Sequence, residues 1–70
     1  MDKNILAAEM IINGKEISGC NYIVEHNLDL EEVRSLVHCH CPNRKAMDYF
    51  IDRAWQVVNN KQNVSMGYNS

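Results

Sequence analysis

Residues 38–45, HCHCPNRK, hold two of the chain's three histidines and two of its three cysteines in four consecutive positions, followed by Pro42, Asn43, Arg44 and Lys45. Imidazole and thiolate are the usual ligands of zinc, and Cys20 and His26 upstream would complete a four-ligand shell with Cys39 and Cys41. Residues two apart on a helix point to nearly opposite sides, so Cys39 and Cys41 chelate one ion only if the helix has already ended. Pro42 supplies that ending, because the residue before a proline is driven from helical to extended backbone. Paired CxxC knuckles are absent, however. The ordinary use of such residues is a tight corner, with His40 and Cys41 facing the core and His38 and Cys39 lining the rim. The spacing favours the corner, and no metal or other cofactor is expected.

The same corner suits an anion. Arg44 and Lys45 fall in the first turn of a helix, where cations oppose the helix dipole and lie beside unpaired backbone N–H groups. With His38 they form the expected partner- or anion-binding site, near His40. In the plainer alternative Arg44 pairs with Asp48 one turn on and Lys45 is solvated. A catalytic cysteine would need an orienting third group and a pocket, neither of which the sequence supplies, so the chain is not expected to be an enzyme.

The elements that must position these residues come from a short chain. Seventy residues form one domain with a small core, and such domains gain from a second subunit, a metal or a disulfide. Apolar residues at 46% and charged residues at 23% describe a folding globular domain. A net charge of −2 gives no general attraction to phosphate backbones. No apolar run reaches the roughly 18 residues of a membrane span, and the N-terminus lacks a signal-peptide layout, so a cytoplasmic location is expected. Three cysteines in that compartment stay reduced.

Between NILAAEMII and KEISGCNYIVEH stands Asn13-Gly14, the dipeptide that favours a type I′ turn between two strands. The expected fold class is therefore α+β, an N-terminal antiparallel β-hairpin followed by two α-helices packed on one face (β-β-α-α). Pairing Ile12 with Lys15 places Leu6, Ala8, Met10 and Ile12 on one strand face, and a bulge at Gly19 keeps Cys20, Tyr22 and Val24 in phase. Asp29 caps a first helix starting at Leu30, with Glu32 in a capping-box position and Leu28 stapling onto Val33. That helix stops near His40, and Asn43 or Pro42 starts the second. Met47, Phe50, Ile51, Ala54, Trp55, Val57 and Val58 give the second helix an apolar face broader than one contact with a hairpin requires. A homodimer through Met47, Ile51, Trp55 and Val58 is expected. The domain spans 1–60, and 61–70 reads as a flexible tail.

The order strand, helix, helix in NYIVEHN, LDLEEVRSLVHCH and PNRKAMDYFIDRAWQVV resembles ribbon-helix-helix DNA-binding dimers over residues 21–58. The resemblance implies dimerisation through one strand whose outward side chains read DNA. Glu25 stands where a basic or amide group would be wanted, and no family residue transfers. Glu9, Glu16, Glu25, Asp29, Glu31 and Glu32 form an acidic side distinct from the basic corner, able to engage a basic groove on a partner or simply to be solvated. The function expected from all this is a small non-enzymatic protein–protein interaction module. Size, charge and nine asparagines, whose codons are AT-rich, fit a phage or mobile-element product that regulates or inhibits a larger host protein. A dimeric nucleic-acid-binding regulator and a zinc-stabilised module are the alternatives.

Overall fold

The structure, a computed structural model, describes residues 2–63, with side chains to residue 60. Over this range the chain forms four helices and no strand: α1 Lys3–Ile12, α2 Glu16–Glu25, α3 Leu30–His40 and α4 Arg44–Asn63. The fold is all-helical, which corrects the expected β-hairpin. The reason lies in one dihedral angle. A type I′ turn needs positive φ at both central residues, but Asn13 has φ −85° and only Gly14 is positive, at +87°. Gly14 N–H donates to Ile11 C=O at 3.1 Å and Lys15 N–H to Met10 C=O at 2.8 Å. These two bonds make a Schellman motif, which ends a helix and satisfies its last carbonyls.

Helical spacing explains what the alternating reading missed. In α1 the buried residues are Ala7, Ala8 and Ile11, and in α2 they are Gly19, Cys20 and Ile23, the same offsets in both helices. Residues at such offsets share one helical face, whereas in a strand they would be divided between two. Asp2 caps α1 by accepting from Asn4 N–H at 2.9 Å. Gly19 is not a bulge. A Cβ there would stand 2.7 Å from Ile11 Cγ1 and 3.2 Å from Ala7 O, so its missing side chain lets α1 and α2 cross closely. The strand on which the ribbon-helix-helix resemblance depends lies mostly within α2, and the resemblance falls with it.

A second Schellman motif ends α2. Asn27 takes φ 56°, its N–H donates to Val24 C=O at 3.2 Å, and Leu28 N–H donates to Ile23 C=O at 2.9 Å. Helix α3 begins as its caps require, with Glu31 N–H on Asp29 Oδ1 at 2.9 Å. The Glu32 carboxylate accepts from Asn4 Nδ2 of α1 at 3.2 Å, so it ties two helices together. Cys41, held extended at φ −124° and ψ 124° before Pro42, stops α3. Asn43 accepts from Ala46 N–H at 3.1 Å and opens α4.

Helix α1 packs on α2 and α3, and α4 packs on the same two, so α1 and α4 stand diagonally across the core. Ala7, Ala8, Ile11, Ile23, Val33, Val37 and Ile51 fill its centre, while Cys20, Ala54 and Val58 form a smaller cluster between α2 and α4. No described helix is long and apolar enough to cross a membrane. Of the expected tail, residues 61–63 belong to α4 and 64–70 lie outside the described residues.

Candidate protein-contact face

The corner at 38–45 does not gather its ligand-type residues. Cys39 and His40 are exposed, Cys41 is half-buried against the core, and Cys20 is wholly buried under α4, its thiol 4.0 Å from Ile51 C=O. Burial, with the Glu16 carboxylate adding to it, pushes the Cys20 pKa up to about 11, so that thiol is neutral at physiological pH. His26, at the C-cap of α2, packs its ring on Tyr22 at a centroid distance of 4.2 Å. The less favoured metal candidates Cys20, His26, Cys39 and Cys41 are thus spread over buried and exposed sites. Among the described residues no three His, Cys, Asp or Glu side chains are placed to hold a metal ion.

His38 has a partner of its own chain. Its Nε2 lies 2.7 Å from Asp48 Oδ1, within a network organised by Arg34. Arg34 Nη1 donates to Asp48 Oδ1 at 3.1 Å, Nη2 to Asp52 Oδ1 at 3.0 Å, and Nε approaches Glu31 Oε1 at 3.4 Å. Burial alone would lower the pKa of Arg34, but its hydrogen bonds to Asp48 and Asp52 outweigh that and raise it. The Arg34 hydrogen bond, followed by that of His38, holds the Asp48 carboxyl below its ordinary value. This arrangement removes the pairing of Arg44 with Asp48 that spacing alone suggested. Arg44 and Lys45 are exposed, and the four ion pairs of the described residues all use Arg34 or His38.

The residues of the expected dimer face mostly turn inward. Ile51 and Val58 are fully buried within the chain, and Met47 and Trp55 pack against its core. What α4 leaves outside is a neighbouring strip. Tyr49 is 56% exposed, Phe50 47% and Val57 43%, and across from them Ile17 of α2 is 47% exposed. With Glu16, Arg53 and Ala54 these residues line a groove of about 370 Å³ between α2 and α4. Tyr49 and Phe50 meet edge to face at 5.6 Å. The Arg53 guanidinium lies 5.7 Å over the Tyr49 ring and donates to its hydroxyl at 3.1 Å.

The groove can bury apolar side chains between two walls of opposite charge, Glu16 on α2 and Arg53 on α4. Cys20, fully buried with Ala54 and Val58 between α2 and α4, does not line it. A smaller groove of about 230 Å³ between α1 and α3 is lined by Ile5, Ala8, Glu9, Ile12, Leu36 and His40. Sequence reasoning includes Phe50 and Val57 in a broad apolar face but does not separate them from the core stripe. It misses Ile17 by placing it on a strand, and the Arg34 network because that joins residues 14 and 18 positions apart. No protein-family model, curated protein or solved structure matches the chain.

Proposed function

We propose that the protein is a non-catalytic protein–protein interaction module that works in the cytoplasm by stoichiometric contact with a larger protein, and that the α2–α4 groove is its contact face. The observation that carries this reading is the half-exposed set Ile17, Tyr49, Phe50 and Val57, four large apolar side chains from two helices gathered in one groove. Single exposed apolar residues are ordinary on a protein surface, but a contiguous group with polar walls is the anatomy of a binding site. Aromatic anchors beside an arginine are the side chains that most often dominate such contacts. The short chain, its mild acidity and its asparagine content suit a phage or mobile-element product that occupies and regulates a host protein.

The test is affinity capture from bacterial lysate with the wild-type chain and a Phe50→Ser/Val57→Ser variant, both checked for the same melting behaviour. The reading expects one protein retained stoichiometrically by the wild type and lost from the variant. No stoichiometric partner, or equal retention by the variant, would contradict it.

A further inference from the structure

The α2–α4 face has a property that a groove for an arbitrary partner does not need: its two walls complement each other. Glu16 stands on the α2 side and Arg53 on the α4 side, with Ile17, Phe50, Ala54 and Val57 between them. Among the described residues neither Glu16 nor Arg53 takes part in an ion pair. The carboxylates of α4 that could have neutralised its outer face, Asp48 and Asp52, are both held by Arg34 of α3. Arg53 donates to the Tyr49 hydroxyl and has no counter-charge in salt-bridge contact among the described residues.

We infer that this face closes on the same face of a second copy, with Glu16 of each chain against Arg53 of the other. The inference rests on reading the groove as a protein-contact face and names an occupant for it. A two-fold interface brings one patch against itself, so the patch must be self-complementary. With the axis running along the groove, each acidic wall meets a basic wall, and the apolar floor of one chain meets that of the other. Both ion pairs form together, and like charges are kept apart.

The size of the patch sets the strength. Two aromatic rings about half exposed offer roughly 100 Å² each, and with Ile17, Val57 and the rim the pair of chains would bury on the order of 1,000 Å². That is the lower end of specific interfaces, so the dimer dissociates on dilution. A chain of seventy residues has a small core of its own, and covering this strip adds to it. A client that takes the same face competes with the second copy, so self-association tunes how much of the protein is available.

Sedimentation equilibrium of the purified full chain over a wide concentration range at low salt tests this. The wild type is expected to pass from monomer to dimer and go no further. Phe50→Ser should weaken the dimer by about tenfold or more, and Glu16→Arg and Arg53→Glu should each weaken it by a similar factor. The double variant Glu16→Arg/Arg53→Glu should recover most of the loss, because it restores both cross-chain pairs with their signs exchanged. Melting curves recorded alongside confirm that each variant is folded.

A wild type that stays monomeric throughout overturns the inference, as does a dimer indifferent to Phe50→Ser, a charge exchange that restores nothing, or growth beyond the dimer into open chains. If the wild type is monomeric while Phe50→Ser/Val57→Ser still abolishes capture of a client, self-association fails and the contact-face reading stands. If the dimer behaves as stated but client capture ignores the variant, the contact-face reading fails for the client alone.

Discussion

Gly19 of α2 lies directly against Ile11 of α1, at a point where any Cβ would come within 2.7 Å of Ile11 Cγ1. The Ala7 carbonyl oxygen, 3.2 Å from the same position, is backbone and cannot rotate away. Gly19→Ala should therefore force the first two helices apart and cost about 1–3 kcal/mol, although alanine is the better helix former. Urea denaturation of the two proteins measures it. A neutral or stabilising effect would mean that α1 and α2 do not cross here.

The turns make a paired prediction. Gly14, at φ +87° with no atom within 4 Å of the place a methyl would take, has conformational freedom as its sole reason to be glycine. Gly14→Ala should cost about 1 kcal/mol. Asn27 holds φ 56° in the equivalent place after α2, so Asn27→Gly should be neutral or stabilise by a few tenths of a kcal/mol. Denaturant midpoints moving in the same direction for both would contradict the two Schellman endings.

Arg34, with His38, is a polar link between α3 and α4, 18% exposed and bonded to Asp48 and Asp52. Replacing it by glutamine should destabilise the fold by about 1–2 kcal/mol, a modest figure because its carboxylate partners are partly solvated. The Asp48 carboxyl is held below its ordinary value of 3.8, chiefly by Arg34 and next by His38. Its contribution is present above that value and is lost as the pH falls through the lower folded-state value. Acid unfolding followed by circular dichroism should show this loss in the wild type and a shallower one in Arg34→Gln. An identical acid response in the two proteins would remove Arg34 as the cause.

Cysteine reactivity should rank by position. Cys39 is exposed, Cys41 half-buried and Cys20 fully buried. A thiol reagent at neutral pH should modify Cys39 rapidly, Cys41 more slowly and Cys20 only on unfolding. Because burial raises the Cys20 pKa from 9.0 to about 11, the unfolded thiol ionises first, and stability should decline as pH rises between those values. Rapid labelling of Cys20 in the native protein would contradict the packing of α2 under α4.

The second half of the fold was legible because its signals have one meaning each. Asp29 before an apolar period, Pro42 after Cys41 and Asn43 before α4 act locally, and the observed α3 keeps the start at Leu30 and the end at His40. The first half was not, because its signals have two. Asn-Gly suits a hairpin turn and a helix end alike, and Leu6, Ala8, Met10 and Ile12 alternate while Ala7, Ala8 and Ile11 form the helical stripe actually buried. Gly19 was equally ambiguous, since a bulge and a close helix crossing both need a residue without a side chain. At the site, Lys45 and Arg44 stand exposed at the start of α4 as their spacing implied, but His38 is committed to Asp48. The apolar strip of Ile17, Tyr49, Phe50 and Val57 could not be read without α2 as a helix, because it is made by two helices meeting.

The α2–α4 groove, not the His-Cys corner, is the face proposed to meet a second copy or a client. The most direct measurement is a dilution series of backbone amide spectra by nuclear magnetic resonance on the isotopically labelled full chain. Concentration-dependent shifts are expected at Glu16 and Ile17 and in the 49–57 segment of α4, and nowhere else. Spectra that do not change with concentration would contradict self-association through this groove, and changes centred on residues 38–45 would contradict the groove as the contact face.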